Sequence, residues 1–210
     1  MVARSCRAIG IVICVAAFCG CSFVVQKGRR TDLDTINRLS GQVDELTQAQ
    51  AVLEERLARE IQDKQVKLAR AEKGLVITFV ADILFDSGKA TLRPESLPIL
   101  DKVARVLNEE VAEYKVGIEG HTDNVPIKYS GWKSNWELSA QRALGVLQHL
   151  TEKAGVAPER LSAAAYGQYQ PVSPNDTKAG RQQNRRVEIV IIPRISKVKD
   201  QAVSAEENLK

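Results

Sequence analysis

Between Gly120 and Arg142 the chain reads GHTDNVPIKYSGWKSNWELSAQR. Asp123 in this stretch is an acceptor for an ammonium group, and Arg142 is a forked donor for a carboxylate. Asn135, between them, can donate and accept. Arg142 stands where a helix should be apolar. At about 100° per residue, a helix starting at Asn135 puts Asn135, Ser139 and Arg142 toward the side of Ala143, Val146 and Leu150. A cation on a buried face is costly without a partner. A lone arginine would extend around the helix start to reach water. Here two polar companions share its face and an acid precedes it. The pattern points to a shallow pocket at the helix N-terminus, where free backbone amides also favour an anion. One cation and one anion held a short distance apart suit a zwitterion, such as the α-amino acid end of a ligand.

Covalent chemistry finds less support. Glu119, His121 and Asp123 alternate at a strand end and could supply a base or metal ligands, but their spacing matches no common zinc or paired-histidine motif. His149 lies far along the helix without acids nearby in sequence. There is no nucleophile elbow or phosphate-cradling glycine loop. All four cysteines (Cys6, Cys14, Cys19 and Cys21) precede the body of the chain. A binding module is therefore expected, with no catalytic residue, metal or cofactor. A hydrolase using His121 or Glu119 is the weaker alternative. The formal charge of +4 is mild and its basic residues are scattered, which argues against nucleic acid.

The elements that must position these residues alternate. LVITFVADILF (75–85) is β-branched and apolar and reads as a buried strand. Leu97, Leu100, Val103, Ala104, Leu107 and Val111 form a helical stripe. YKVGIEG (114–120) is a second strand, followed by a long loop. Ser134 and Glu137 form a capping box that opens a helix running to about Lys153. Residues 160–167 and 185–194 read as two more strands, with a helical turn at KAGRQQN between them. The order predicts an α/β (α+β) sandwich, with two main helices on one mixed four-stranded sheet, over residues 74–194. The tail 195–210 is polar and expected to be disordered.

The segment before this domain has a different character. Over 31–73, Ile36, Leu39, Val43, Leu46, Gln50, Leu53 and Leu57 alternate three and four apart, and the seam then shifts to Ile61, Leu68 and Ala71. This is a coiled-coil-like seam with a stutter, too narrow for a lone helix. Self-association or docking on a partner helix is expected, with a mostly solvated helical spacer as the alternative. Residues 1–20 combine a basic start with an uncharged apolar run of about 13 residues, short of the ~20 that span a bilayer. They read as a signal peptide with a lipobox-like end, cleaved before Cys21, or else as a short uncleaved anchor. Gly20 suits the small position, whereas Phe18 departs from the usual pattern; Cys19 is a poorer alternative acylation site. Residues 21–30 would then be a tether. By resemblance to Gram-negative lipoproteins, Ser22 implies sorting to the outer membrane.

Five spaced motifs, FDSGKATL (85–92), GHTD (120–123), N-x-x-LS-x-x-R-A from Asn135 to Ala143, YGQYQPVSPN (166–175) and NRRVEIVI (184–191), resemble the OmpA-like peptidoglycan-binding domain family. The resemblance implies an α/β sandwich that binds the meso-diaminopimelate residue of wall stem peptides without covalent bonds. It implies that Asp123 takes the ligand's ammonium and Arg142 its carboxylate, with Asn135 supporting the pocket. Backbone around Asp86 and Gly88 would close one side, with Arg185 nearby. The loop after GHTD is longer than in many members and is more like that of flagellar stator proteins, which leaves the closure of the pocket open. Together these readings give a bacterial outer-membrane lipoprotein that tethers membrane to peptidoglycan. The alternative is an adaptor of a secretion, motility or envelope complex acting through residues 31–73.

Overall fold

The computed structural model describes residues 33–128 and 131–193. The expected signal segment (1–20), Cys21, the tether (21–30) and the tail (195–210) lie outside the described residues. The chain divides into two units, residues 1–44 and 45–210. Residues 33–56 are helical (α1). In the first unit Leu33, Ile36, Leu39 and Val43 are all at least half exposed.

In the second unit the seam is used internally. Ala49, Leu53 and Leu57 are fully buried in the main core, with Leu46 packed against it. Polar contacts fasten the same helix to α4 (Leu97–Glu109) and the residues that follow: Arg56 to Glu109 at 2.8 Å, Gln48 to Glu110 at 3.1 Å, and the Tyr114 hydroxyl to Glu45 at 2.6 Å. This corrects the expected boundary at 74. The domain reaches back into the helix, and the part of the seam from Leu46 to Leu57 faces the domain's own core. Truncating Leu53 to Ala should therefore cost about 2–5 kcal/mol in chemical denaturation. A solvated spacer residue would show almost no change.

A second correction follows. Helix α1 gives way to a turn at Leu57, a short helix α2 (Ala58–Gln62) and a strand β1 (Val66–Ala71). Lys64, at φ 57°, makes the reversal between them. Leu68 and Ala71, assigned to the coiled coil from their spacing, lie in this strand. β1 pairs antiparallel with β2 (Gly74–Val80) from Val66↔Phe79 to Ala71↔Gly74. The sheet thus has five strands in the order β1-β2-β5-β3-β4, one more than expected. β3 is Lys115–His121, β4 is Leu161–Gly167 and β5 is Arg186–Ile192. β5 runs antiparallel to both β2 and β3, and β3 pairs parallel with β4.

One face of the sheet carries Leu75, Ile77, Phe79, Val116, Ile118, Val187, Ile189 and Ile191, all buried against α4 and α5 (Asn135–Gln148). The α/β sandwich with two main helices is thus the observed architecture. The apolar run 75–85 does not stay extended. β2 ends at Val80, and Ala81–Leu84 forms a single helical turn, α3. That turn brings Asp82 out of an otherwise uncharged run.

Candidate functional site

β3 and α5 meet at a glycine. A Cβ on Gly120 would lie 2.0 Å from the Ser139 carbonyl oxygen, so the strand end can approach the first turns of α5 only without a side chain. Ser139 itself is spent on this junction, accepting from Gly167 N at 3.1 Å and donating to Trp136 O at 2.9 Å. Ser134 caps α5 by accepting from Glu137 N at 3.3 Å, while the Glu137 carboxylate accepts from Lys133 N at 2.6 Å. The close approach sets the Thr122–Asp123 end of β3 beside Asn135 and Arg142.

These residues line a cleft of about 870 Å³, together with Asp82, Phe85, Asp86, Gly88 and Arg185. All six expected ligand-site residues, Asp123, Arg142, Asn135, Asp86, Gly88 and Arg185, are therefore gathered at one place. Arg142 is 4% exposed. Its Nε donates to Lys89 O at 3.0 Å and its guanidinium lies 5.2 Å over the Phe85 ring. Among the described residues it makes no ion pair. Burial pushes its pKa down to about 10, with Asp82 opposing the shift, Arg185 adding to it and Asp123 opposing it. It remains charged at neutral pH, but in a poorly solvated place.

Asp123 is also buried, and its carboxylate has partners of its own: Oδ2 accepts from Arg185 Nη1 at 2.9 Å and Oδ1 from Val125 N at 3.1 Å. Arg185 also donates from Nη2 to Asp82 Oδ2 at 3.1 Å. The local backbone explains this fork, since Ala81 N donates to Arg185 O at 2.9 Å and carries α3 against the start of β5. Burial alone would weaken the charged form of Arg185, but the hydrogen bonds to Asp82 and Asp123 hold its pKa above the ordinary value. Asp123 and Arg142 thus do not neutralise each other. The acid is held by Arg185, and Arg142 is left for something else. Asn135 stands behind the acid, its Nδ2 donating to Asp123 O at 3.3 Å, Val125 O at 3.1 Å and Gln168 Oε1 at 2.9 Å.

The long loop is tied down by Trp132, whose Nε1 donates to Gly88 O at 2.7 Å. Gly88 has φ 69°, a conformation glycine adopts without strain. Asp86 is exposed and paired with Lys89 at 2.9 Å. Trp132→Phe should keep the packing and lose the bond, costing about 1 kcal/mol. Faster proteolysis of the 124–133 loop, with a Tm lower by about 2–4 °C, would report it.

Sequence reasoning missed Asp82, Phe85, Lys178 and Arg181. Asp82 was signalled as the one charge in the run 75–85. The cleft carries Arg93, Lys128, Arg142, Lys178, Arg181 and Arg185 against Asp82, Asp86 and Asp123, which favours an anionic ligand. Glu119 and His121 do not line it. The absent side chain of Gly120 faces α5, so its neighbours point to the opposite face of the sheet. His149 is paired with Asp101 of α4 at 2.8 Å, also away from the cleft.

The family model for the OmpA family matches residues 84–185, the span that contains the cleft's α3 end, GHTD, α5 and Arg185. Residues 84–185 are an OmpA family domain. The chain carrying this domain is 38% identical to Motility protein B of Bacillus subtilis (strain 168) over 72% of its own length and 58% of that protein. It is 33% identical to the probable lipoprotein YiaD of Escherichia coli (strain K12), over 68% of its length and 62% of that protein. More than a third of each of these curated relatives is therefore outside the match. Among solved structures, the cell wall anchor of the T6SS from Pseudomonas aeruginosa superposes with a TM-score of 0.61 at 35% identity, over 67% of this chain and 96% of that one. The compact unit that holds this domain also includes β1, β2 and the buried part of α1.

Proposed function

We propose that the cleft binds the diaminopimelate residue of peptidoglycan stem peptides non-covalently, so that the protein anchors to the cell wall. The observation that carries this reading is Arg142, buried, charged and without an ion pair among the described residues. A ligand carboxylate entering the cleft would supply the missing counter-ion in a bidentate pair. Asp123, with lone pairs remaining beside those used by Arg185 and Val125, would accept the ligand's ammonium. Asp86 and Gly88 would form the wall that closes over it, with Trp132 holding Gly88 in place. The name of the T6SS wall anchor and the OmpA family match agree with this class of ligand. Nothing in the cleft resembles a hydrolytic centre, since His121 and Glu119 face away from it.

The membrane end of the proposal rests on Cys21 and its lipobox-like setting. Acylation there would hold the protein at the outer membrane, and the relationship to a probable lipoprotein supports this. Affinity per site would be modest, with many copies on one polymer giving avidity. A second reading, a wall-anchoring adaptor for a larger envelope complex, is favoured by the half-exposed Leu33, Ile36, Leu39 and Val43, which offer a partner surface. Deleting residues 31–44 would separate the two, since an adaptor loses its partner while wall binding stays intact.

Sedimentation of the full-length protein with purified sacculi tests the cleft. Asp123→Asn keeps the shape, removes the charge, and should weaken co-sedimentation by at least ~10-fold. Equal sedimentation of this variant and wild type would refute the assignment. Released muropeptides would instead rescue the enzyme reading; none are expected.

A further inference from the structure

The other face of the sheet holds a second cluster that the wall-binding reading does not use. Glu119 and His121 of β3 stand across from Glu188 and Arg186 of β5, paired in register as Glu119↔Glu188 and His121↔Arg186. Each of Glu119, His121 and Glu188 offers a ligand atom, and these atoms lie within 4.8 Å of one another. His121 is 1% exposed, and among the described residues neither of its ring nitrogens has a hydrogen-bond partner. Such an orphan is unusual, because buried polar groups are nearly always satisfied. Its Nε2 lies 3.9 Å from Glu119 Oε2, and its ring stacks on Tyr166 with centroids 5.1 Å apart.

A cation already sits between the two carboxylates. Lys73 Nζ is 2.5 Å from Glu119 Oε2 and 2.6 Å from Glu188 Oε2. Lys73 belongs to the two-residue turn between β1 and β2, and its side chain is 41% exposed, so it can swing out. Arg186 Nε holds the other oxygen of Glu188, Oε1, at 2.6 Å and fixes that carboxylate whatever occupies the middle. Lys73 and Glu188 also line an open cleft of about 1090 Å³ on this sheet face, which gives a path from solvent.

We propose that Glu119, His121 and Glu188 form a site for a divalent transition-metal ion, of which Zn²⁺ is the best match, and that Lys73 holds the site closed by occupying the cation position. One imidazole nitrogen and two carboxylate oxygens are a donor set that Zn²⁺ accepts, with a fourth position left for water. A bound dication would satisfy one of the two orphaned nitrogens and replace the ammonium contact with a tighter bond to each carboxylate. The spacing along β3 alone does not reveal the site, because the third ligand comes from β5.

The test is zinc titration by calorimetry on the full-length protein with its cysteine thiols alkylated, so that they cannot bind. Lys73→Met removes the competing ammonium and should take up one Zn²⁺ per chain, at least ~10-fold tighter than wild type. The near-isosteric pair Glu119→Gln and Glu188→Gln, combined with Lys73→Met, should lose that uptake by at least ~100-fold while sedimenting with sacculi as wild type does. Cobalt(II) in the Lys73→Met protein should give a visible d–d spectrum that vanishes in the same Gln variant. Absence of stoichiometric uptake by Lys73→Met, or uptake unchanged by the two Gln substitutions, would overturn the proposal.

Discussion

Arg142→Met is expected to abolish wall binding and to leave the fold almost as stable as before. The two effects separate because the residue is a buried cation with no ion-pair partner among the described residues. Losing a charge-assisted pair with a ligand carboxylate costs about 2–5 kcal/mol, which is roughly 30-fold or more in affinity. The fold loses the Nε bond to Lys89 O and the contact over Phe85, but it also loses the penalty of desolvating a charge. Replacing a buried ion by an apolar side chain of similar volume is often neutral or stabilising. The net change should stay within about 1 kcal/mol of wild type in urea denaturation. Arg142→Lys keeps the charge but not the fork, and should still bind at least ~10-fold more weakly. A binding residue that is an energetic burden on the free protein is the ordinary signature of a site kept for its ligand.

Gly120→Ala is expected to have the largest effect on the fold. Its Cβ would meet Ser139 O at 2.0 Å and Ser139 C at 2.8 Å, and both are backbone atoms of a capped helix. Neither can move aside as a flexible side chain could. Either β3 shifts or α5 does, at a cost of about 3 kcal/mol or more. The urea midpoint should fall accordingly, and wall binding should weaken as the Asp123 end of β3 leaves Asn135 and Arg142. A midpoint unchanged from wild type would mean that strand and helix are not in contact here.

Much of this arrangement is legible before any coordinates. The polar face of α5 marked the cleft, because an arginine among Ala143, Val146 and Leu150 needs an explanation that a surface arginine does not. What sequence could not supply was the partner of each charge. Asp123 and Arg142 look like a pair, yet Arg185 holds the acid, and it does so because Ala81 N bonds Arg185 O and folds Asp82 back onto the same guanidinium. Such pairing across about 60 residues depends on sheet order.

The helix that became a strand has a tertiary cause. Val66-Lys67-Leu68-Ala69-Arg70-Ala71 consists mostly of residues at home in helices, and the spacing of Leu68 and Ala71 continued the earlier seam. Pairing with β2 overrides that preference, as tertiary context often does in strands. The segment ends at a two-residue turn, Glu72-Lys73, and Gly74 at φ 126°, where the chain reverses into β2. A Cβ on Gly74 would lie 2.0 Å from Ile191 O, so the close approach of β2 to β5 depends on it. The missed strand also hid Lys73 and its place between Glu119 and Glu188.

Wall anchoring by this protein turns on one ligand in one cleft. Co-sedimentation of the full-length protein with isolated sacculi, repeated with increasing free meso-diaminopimelate, measures this directly. Free diaminopimelate should release wild-type protein from the wall, and the Arg142→Met protein should not sediment at any concentration. Retention of wild-type protein at saturating diaminopimelate, together with undiminished sedimentation of Arg142→Met, would contradict it.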